Sequence, residues 1–406
     1  MTDSTHGLKD LFGSVPDPDA EPRAPKALGD QAPSGQAPAA PRPAGPAPGQ
    51  VDPVPAAPAS PGVPVLDAPN LAPLPEGLVA RAPAAPVAPT PSSAAALSCV
   101  VVARGGVTAA RRTLQALRLQ TIASALDVVL VADEAASLNA EGFAGLQALV
   151  EPGTAGYGGM AAAGVRAARG ELVAILDDYA FPARDWAEAV AAHRHDRFAA
   201  LGSALGNANP RSAQSWSNML LEHGPWRDGR AGGEVGRLPT RNLVFRRDAL
   251  LGLGDALPAA LEGGDAPTLL AAGGDPLKVA EGARIDVLNP STRKAAMRAR
   301  FAAGRLDAAS HAGGMGLPKR LGKALTASLG GPARYAREKP RLFQGPDPKV
   351  NPKLQGRAVM AAMTAEGLGR AAGYLRGPGR AVQTRERMHA KRASTLNKVD
   401  RKQFGG

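Results

Sequence analysis

Two adjacent carboxylates, Asp177 and Asp178, are the residues of this 406-residue chain whose type and spacing most clearly indicate chemistry. They follow the apolar run 171–176, and such a pair is costly there unless it is solvated, hydrogen-bonded or bound to a cation. A divalent ion shared with phosphate oxygens is one common use of the pair. A helix cap at Asp178, before the segment 182–186, is the structural alternative.

Two further charged side chains follow apolar runs of the same kind. Arg104 comes after the run 97–103, and Asp133 comes after the run 127–132. In an open α/β sheet, ligands bind outside the carboxyl ends of the strands, so we expect these side chains to lie near the carboxylate pair. Their convergence predicts a nucleotide site, in which Asp133 could accept hydrogen bonds from a base or a ribose.

The elements that must position these residues have the pattern of βαβ units. The apolar runs 97–103 and 127–132 flank the segment 107–120, whose apolar residues recur on one helical face. A third strand is expected at 146–150, and a Gly- and Ala-rich helix at 156–169 is small enough to pack close to a sheet. This alternation predicts an α/β fold with a mainly parallel sheet and flanking helices.

The order of these segments resembles the family-2 glycosyltransferases of the GT-A fold. The resemblance covers roughly residues 97–306 and includes the stretches SCVVVARGG, VVLVADEA and GELVAILDDYAFPARDW. Downstream, 238–247 is similar to a strand with the pattern N-x-x-x-R-R, and 262–270 stands where the family has an E-D-x-x-L segment. The resemblance implies a GT-A-like, Rossmann-related mixed sheet and a transferase that uses a nucleotide-sugar donor.

The resemblance also implies a role for each matching side chain. The candidates for binding the nucleotide sugar are Arg104, Asp133, Asp177, Asp178 and Asn242. Asp133 would contact the base, Asp177 would lie near the ribose, and Asp178 would face a divalent metal, Mg²⁺ or Mn²⁺, at the diphosphate. Asp265 would be the general base that deprotonates an acceptor hydroxyl in an inverting transfer. The implied acceptor is a glycan or lipid-linked hydroxyl, in cell-envelope or surface polysaccharide synthesis.

Several positions depart from the family pattern. Tyr179 stands where many members have a third acid, so a metal would be held by Asp178 alone or replaced by arginine. The arginines considered for that role are Arg246, Arg247 and Arg305. Gly264 stands where the family usually has Glu before the catalytic Asp. These departures leave open a second function, a degenerate and non-catalytic domain that binds a partner or a membrane through the basic end of the chain.

Composition separates the middle of the chain from its two ends. Residues 1–95 hold 22 of the 38 prolines, mixed mainly with Ala and Gly, which predicts a disordered arm. Residues 311–406 carry 20 Lys and Arg against 5 Asp and Glu, in a chain whose net charge is +12. The predicted organisation is therefore an arm at 1–95, a GT-A domain at 96–310 and a basic, partly helical extension at 311–406.

The basic extension predicts an anionic partner. Segments 315–332 and 355–376 place apolar residues at helical spacing among Lys and Arg, which fits a helix in a membrane interface or one packed on its own domain. Specific nucleic-acid binding is not expected, since base-stacking aromatics are scarce there. The single cysteine, Cys99, fits a buried structural thiol, and no signal-peptide or transmembrane pattern is seen. The expected location is cytoplasmic, with the inner membrane face as a docking surface.

Overall fold

The computed structural model describes residues 96–135, 141–227, 232–345 and 349–404. Within these ranges the chain forms one mixed sheet surrounded by helices, which confirms the predicted fold class. The arm 1–95, predicted to be disordered, lies outside the described residues.

The described elements alternate in the first half of the fold and are mainly helical in the second half. The strands are β1 Leu97–Ala103, β2 Leu126–Ala132, β3 Gly145–Val150, β4 Leu172–Asp177, β5 Ala180–Pro182, β6 Ala200–Asn207, β7 Gly233–Glu234, β8 Leu243–Arg246 and β9 Leu277–Val287. The first helices are α1 Val107–Arg118, α2 Gly156–Ala167, α3 Trp186–Ala192, α4 Ala213–Glu222, α5 Arg247–Leu251, α6 Leu257–Gly263 and α7 Ala266–Ala271. The later helices are α8 Arg293–His311, α9 Leu317–Leu329, α10 Gly331–Leu342, α11 Pro352–Arg376, α12 Ala381–Ala390 and α13 Lys398–Phe404.

The sheet has the strand order β3-β2-β1-β4-β8-β6-β9-β5, and β7 pairs with β9. The first four strands in that order are parallel, and β8 then adds antiparallel to β4. In the register, Val102 lies opposite Asp177 and Leu243 lies opposite Ile175. The carboxyl ends of β1, β2 and β4 and the beginning of β8 therefore share one edge of the sheet.

Continuous apolar runs form the central strands because both faces of the sheet are covered. All residues of β1 are buried, including Cys99, whose pKa is raised by burial and then by the nearby Asp127, so this thiol is a structural one. Helix α2 packs close to β1 and β2 at Gly164, where a methyl group would overlap the side chain of Val100. The Gly- and Ala-rich composition of this helix is thus a packing requirement, as predicted.

Helices α8 and α11 cross at backbone contact. A methyl group at Gly304 would overlap the carbonyl oxygen of Glu366, and one at Gly369 would overlap the carbonyl oxygen of Phe301. This close approach holds the 25-residue helix α11 against α8 and so returns the chain towards the sheet. In the described part of the chain, no helix is both long enough and apolar enough to cross a membrane.

A buried carboxylate joins α8, α10 and α11. Glu366 of α11 accepts from Arg300 of α8 at 2.8 Å and from Arg334 of α10 at 2.7 Å, and Arg370 lies 3.2 Å away. Burial raises the pKa of Glu366, but Arg300 and then Arg334 outweigh it and bring the pKa down to about 2. The carboxylate is therefore charged at neutral pH and holds three helices together.

Replacing Glu366 by Gln should destabilise the fold at neutral pH. The change leaves the guanidinium of Arg300, which is 8% exposed, without its buried counter-charge, and breaking such a pair typically costs about 3–5 kcal/mol. The free energy of unfolding, measured with urea, would report the loss. Glu338→Gln is the matched control, because it breaks a more exposed pair with Arg334 and should cost less than about 1 kcal/mol. Equal losses in the two variants would contradict the buried network.

Candidate functional site

The predicted carboxylate pair lies at the carboxyl end of β4. Asp177 is the last residue of that strand, and Asp178 begins the turn into β5. Both side chains are buried, as is Tyr179, and we refer to residues 177–179 as the acidic turn. A buried carboxylate needs a partner, so the neighbours of this turn define the site.

Asp177 is held by the two residues that precede β8. The Asn242 side chain accepts from the Asp177 backbone N–H at 2.9 Å and donates to the Asp177 carboxylate at 3.3 Å. The Arg241 guanidinium lies 3.4 Å from the same carboxylate. Among the described residues, Asn242 is the only non-glycine with a positive φ, 60°, a conformation that Asn tolerates because its short amide side chain bonds locally. The sequence resemblance selected Asn242, and the structure brings it to Asp177.

Asp178 is held by the loop between β1 and α1. Its carboxylate accepts from the Gly105 backbone N–H at 2.6 Å. Burial raises the pKa of Asp178 to about 7, the Gly105 hydrogen bond opposes this shift, and the neighbouring charge of Asp177 adds to it. The hydrogen bond joins the ends of β1 and β4 in one site, as the strand pattern predicted.

Arg104 reaches the same site but pairs with the end of the chain. Its guanidinium lies 2.7 Å from Glu386 of α12, and Arg241 lies 4.0 Å from the other oxygen of that carboxylate. Glu386 therefore lies between the guanidinium beside Asp177 and the one that follows β1. Sequence reasoning missed Glu386, since it lies far along the chain, in the basic extension that was predicted to bind an anionic partner.

The last described segment covers the acidic turn. We call residues 381–404 the C-terminal hook. The hydroxyl of Tyr179 lies 2.7 Å from Nδ1 of His389, and the guanidinium of Arg392 lies 3.8 Å from the centre of the Tyr179 ring. Burial, followed by the charge of Arg392, lowers the pKa of His389 well below its usual range, so this imidazole is neutral.

The C-terminal hook is anchored on both sides of the acidic turn. The backbone N–H groups of Ser291 and Thr292 donate to the Thr395 carbonyl at 3.0 and 3.1 Å. Asn209 donates to the buried carboxylate of Asp400 at 2.9 Å. The ring of Phe404 stacks on Phe181. These contacts make the hook a packed part of the fold.

A cavity of about 130 Å³ remains between α1, the acidic turn and the C-terminal hook. Its wall includes Thr108, Arg112 and Asp178 from one side and Lys391 and Arg392 from the other. Sites that bury a drug-sized ligand or a cofactor measure roughly 300–1,000 Å³. The cavity is therefore large enough for a phosphate group but too small for a whole nucleotide sugar.

Asp133 is on the same edge of the sheet but does not contact the acidic turn. It follows β2, which is two strands from β4, and its exposed side chain lies beside Gly153. The next residue, Glu134, accepts from the Val107 N–H at the start of α1 at 3.1 Å. A role for Asp133 at a nucleotide base stays a prediction.

Asp265 is exposed immediately before α7, and its side chain does not cap that helix. The preceding Gly264 ends α6 with φ 79°, and a Cβ atom there would lie 2.6 Å from the Cβ of Thr240. A glutamate at position 264 would thus be both strained and crowded. Because Thr240 directly precedes Arg241, this contact places the Asp265 loop beside the ion pair between Arg241 and Asp177. The role of Asp265 as a base stays a prediction.

Glu262 is a further carboxylate that the sequence analysis did not select. Its side chain accepts from the Gly158 N–H in the first turn of α2 at 2.6 Å. Burial raises the pKa of Tyr157, and the nearby charges of Asp177 and Glu262 add to this shift. The Arg241 guanidinium lies 3.7 Å from the centre of the Tyr157 ring. The run 262–265 contains two exposed acids, and only the tertiary structure shows that the first of them, Glu262, is bonded to α2.

The donor set around the acidic turn fits a divalent ion poorly. Asp177 is already paired with Arg241 and Asn242, which leaves Asp178 as the one carboxylate facing the cavity. No group of three or more His, Cys, Asp or Glu side chains suited to a metal occurs in the described ranges. A metal at Asp178 therefore stays a prediction without support from its surroundings.

The arginines considered as substitutes for a metal lie elsewhere. Arg246 pairs with Glu171 at 3.1 Å, next to the beginning of β4 and so at the opposite end of that strand. Arg247 follows it, and Arg305 donates to the Gly377 carbonyl. For Arg246 and Arg247 that expectation was wrong, because β8 is antiparallel to β4 and brings its first residues, not its last ones, to the site. The guanidinium groups that border the acidic turn are those of Arg104, Arg241 and Arg392.

Neither a scan with protein-family models nor a search with curated proteins gives a match. Solved structures do show a likeness. TarS from S. aureus is 15% identical at a TM-score of 0.37, over 68% of this chain and 54% of that one. The mannosyltransferase PcManGT from Pyrobaculum calidifontis, in complex with GDP-Man and Mn²⁺, is 17% identical at a TM-score of 0.39, over 79% and 86%.

A third similar structure is GalNAc-T7 with UDP, GalNAc and Mn²⁺, which is 16% identical at a TM-score of 0.36. The chain spans 44% of GalNAc-T7 and about half of TarS. One of these three similar structures, PcManGT, is a mannosyltransferase. TM-scores below 0.5 establish nothing about the activity of this chain, and its fold is defined by its own strand order and register.

The raised pKa of Asp178 predicts a pH dependence of stability. The folded state keeps a proton that the unfolded state releases above pH 3.8, so the contribution of this group to stability falls as pH rises towards about 7. Urea unfolding between about pH 5 and about pH 8 should show a smaller decline for Asp178→Asn than for the unchanged chain. Asp133→Asn, at an exposed carboxylate, should decline like the unchanged chain. Identical slopes for all three proteins would contradict the raised pKa of the buried Asp178.

Proposed function

We propose that the chain is a glycosyltransferase that uses a nucleotide-diphosphate sugar, with its donor site at the acidic turn. The observation that carries the proposal is the hydrogen bond from the Gly105 N–H to Asp178, which joins the ends of β1 and β4. In open α/β sheets this edge is where ligands bind. The order of motifs along the sequence supports the same class of enzyme.

Unpaired donors beside the acidic turn support a phosphate ligand. Nη1 of Arg104 and Nε of Arg392 are buried and find no acceptor within the described part of the chain. Buried N–H groups are normally hydrogen-bonded, and guanidinium groups bind phosphate oxygens well. We therefore assign the donor diphosphate to the cavity between the beginning of α1, the acidic turn and Arg392, next to the loop that begins at Arg104.

The proposed transfer is a single displacement that inverts the anomeric carbon. The acceptor hydroxyl oxygen attacks that carbon while its bond to the diphosphate oxygen breaks, and the nucleoside diphosphate leaves with the bonding electrons. Asp265 takes the hydroxyl proton, since it is exposed and its loop packs beside Arg241 through the contact between Gly264 and Thr240. The guanidinium groups stabilise the charge that develops on the diphosphate.

The C-terminal hook has to move for a donor to enter. Its contacts with Tyr179 reduce the cavity to about 130 Å³, which holds a phosphate group but not a nucleotide sugar. In the proposed cycle the hook opens, the donor binds along the ends of β1 and β4, and Arg392 then faces the diphosphate. Such gating segments commonly exclude water from a transferase site.

The acceptor that we propose is a glycan or lipid-linked hydroxyl in cell-envelope or surface polysaccharide synthesis. This part of the proposal follows from the family-2 resemblance. Asp265 is exposed, which leaves its carboxylate accessible to such an acceptor.

A specific observation favours a second function, that of a non-catalytic interaction domain. Asp177 is fully paired inside the protein, and the C-terminal hook fills the space over Tyr179. A domain that had lost its donor would retain such contacts as packing. The two functions differ in whether a nucleotide diphosphate binds at all.

Binding of nucleotide diphosphates tests the donor site directly. The melting temperature of the full chain should rise with at least one of UDP, GDP, ADP or dTDP, because a ligand at one hundred times its Kd adds about 2.7 kcal/mol of stability. Arg392→Gln should weaken that affinity about tenfold, the effect of one lost charge-assisted hydrogen bond. Arg387→Gln, an exposed arginine of the same hook, is the matched control.

The binding experiment is run with and without Mn²⁺. If the rise in melting temperature requires Mn²⁺ and is the same in Arg392→Gln as in the unchanged chain, a metal at Asp178 would replace the arginine assignment. No shift with any nucleotide under either condition would overturn the donor site and favour the interaction domain.

Asp265→Asn tests the assignment of the base. Sugar transfer from the donor that binds should fall at least about 100-fold, the usual contribution of a positioned general base, while the affinity for the nucleotide diphosphate stays unchanged. Asp255→Asn, at an exposed carboxylate in the turn before α6, should leave the rate unaltered. Transfer at the original rate by Asp265→Asn would show that another group accepts the proton.

A further inference from the structure

Helix α9 carries a row of exposed leucines. Leu317, Leu321, Leu325 and Leu329 recur at every fourth position, and each is between 51% and 72% exposed. Among the described residues of this helix, only Ala324 is buried. Large apolar side chains in a continuous row on one surface helix usually mark an interaction site.

The leucine row is not the face by which α9 packs on the protein. That face consists of small residues, and Gly367 of α11 lies so close to it that a methyl group would overlap the Ala327 carbonyl oxygen. Ala324 is buried in the same contact region. Because small residues make the internal contact, the four leucines are left for a partner outside the described structure.

The other segment predicted to lie in a membrane interface or to pack on the protein, 355–376, lies in α11. Helix α11 buries Val359, Ala362 and Met363 and crosses α8 at backbone distance. Of the two helices that could lie in a membrane interface or pack on their own domain, α11 therefore packs, and α9 keeps its apolar row outside.

The basic side chains of α9 favour an anionic partner. Residues 317–329 contain Lys319, Arg320 and Lys323 and no Asp or Glu, and both lysines are exposed. A leucine row with basic residues on the rest of the same helix suits a bilayer interface with anionic lipids. A second copy of this chain suits it less, since an isologous pair of α9 helices would supply no acidic side chain from 317–329 to complement the basic ones.

We propose that α9 docks on an anionic phospholipid surface, with its four leucines between the head groups and the charge of Lys319 and Lys323 attracting the helix to that surface. Its helix is already formed and held on α11, so docking orders no additional chain. The proposal does not depend on sugar transfer at the acidic turn, and either can fail without the other.

Vesicle flotation of the full chain tests the proposal. The probes are vesicles of phosphatidylcholine alone and of phosphatidylcholine with phosphatidylglycerol. The unchanged chain should float with the anionic vesicles and remain with the unbound fraction when they are neutral. The double substitution Leu321→Ser and Leu325→Ser should reduce the bound fraction at least about tenfold, because the apolar area on the helix is halved.

Two further variants complete the design. The double substitution Leu119→Ser and Val150→Ser removes equally exposed apolar side chains outside α9 and should float like the unchanged chain. Lys319→Gln with Lys323→Gln should weaken flotation and its dependence on salt. The circular dichroism spectrum and melting temperature of each variant should match the unchanged chain, since every substituted side chain is exposed.

The opposing outcomes are equally definite. Flotation of the Leu321→Ser, Leu325→Ser variant at the original level would overturn the proposal, as would failure of the unchanged chain to float. If light scattering shows a dimer that these serines convert to a monomer, and no form of the chain floats, the leucine row is an interface between copies.

Discussion

Burial of two neighbouring carboxylates at the end of β4 is the constraint on which the arrangement of the sheet edge depends. An unpaired buried carboxylate would cost on the order of several kcal/mol, and the two charges also repel each other. Asp177 is satisfied by the residues before β8, and Asp178 by the loop after β1. The antiparallel direction of β8 is necessary for this, because only that direction brings the first residues of β8 to the carboxyl end of β4.

The second constraint is the return of the chain to that edge. Glycines let α11 cross α8 at backbone distance, and Glu366 joins the same helices to α10 through arginines. With α11 fixed, the chain that follows reaches the acidic turn and places His389 and Arg392 on Tyr179. Part of the positive charge of the extension thus lies at the sheet edge, where Arg392 and Lys391 line the cavity with Asp178, and part lies on the outer helix α9.

The departures from the family pattern have a common physical explanation at this edge. Gly264 has a positive φ and packs against Thr240, so a side chain at that position would be strained. Tyr179, in place of a third acid, shares a hydrogen bond with the neutral imidazole of His389. The cavity is lined by one carboxylate, that of Asp178, and by two guanidinium groups, those of Arg112 and Arg392. This balance of charge suits a phosphate group held by arginine.

The sequence by itself determined the strands β1, β2 and β4, the close-packed helix α2 and the position of Asp177 and Asp178, because apolar runs and small residues are local signals. The resemblance also selected Arg104 and Asn242, which the structure brings near the acidic turn, and their role at a nucleotide sugar stays a prediction. Only the tertiary structure decided that the C-terminal hook covers the acidic turn, since the bond between Tyr179 and His389 joins residues 210 positions apart. It also decided which arginines reach the site, because strand direction, which local periodicity does not encode, sets the edge at which each end of β8 emerges.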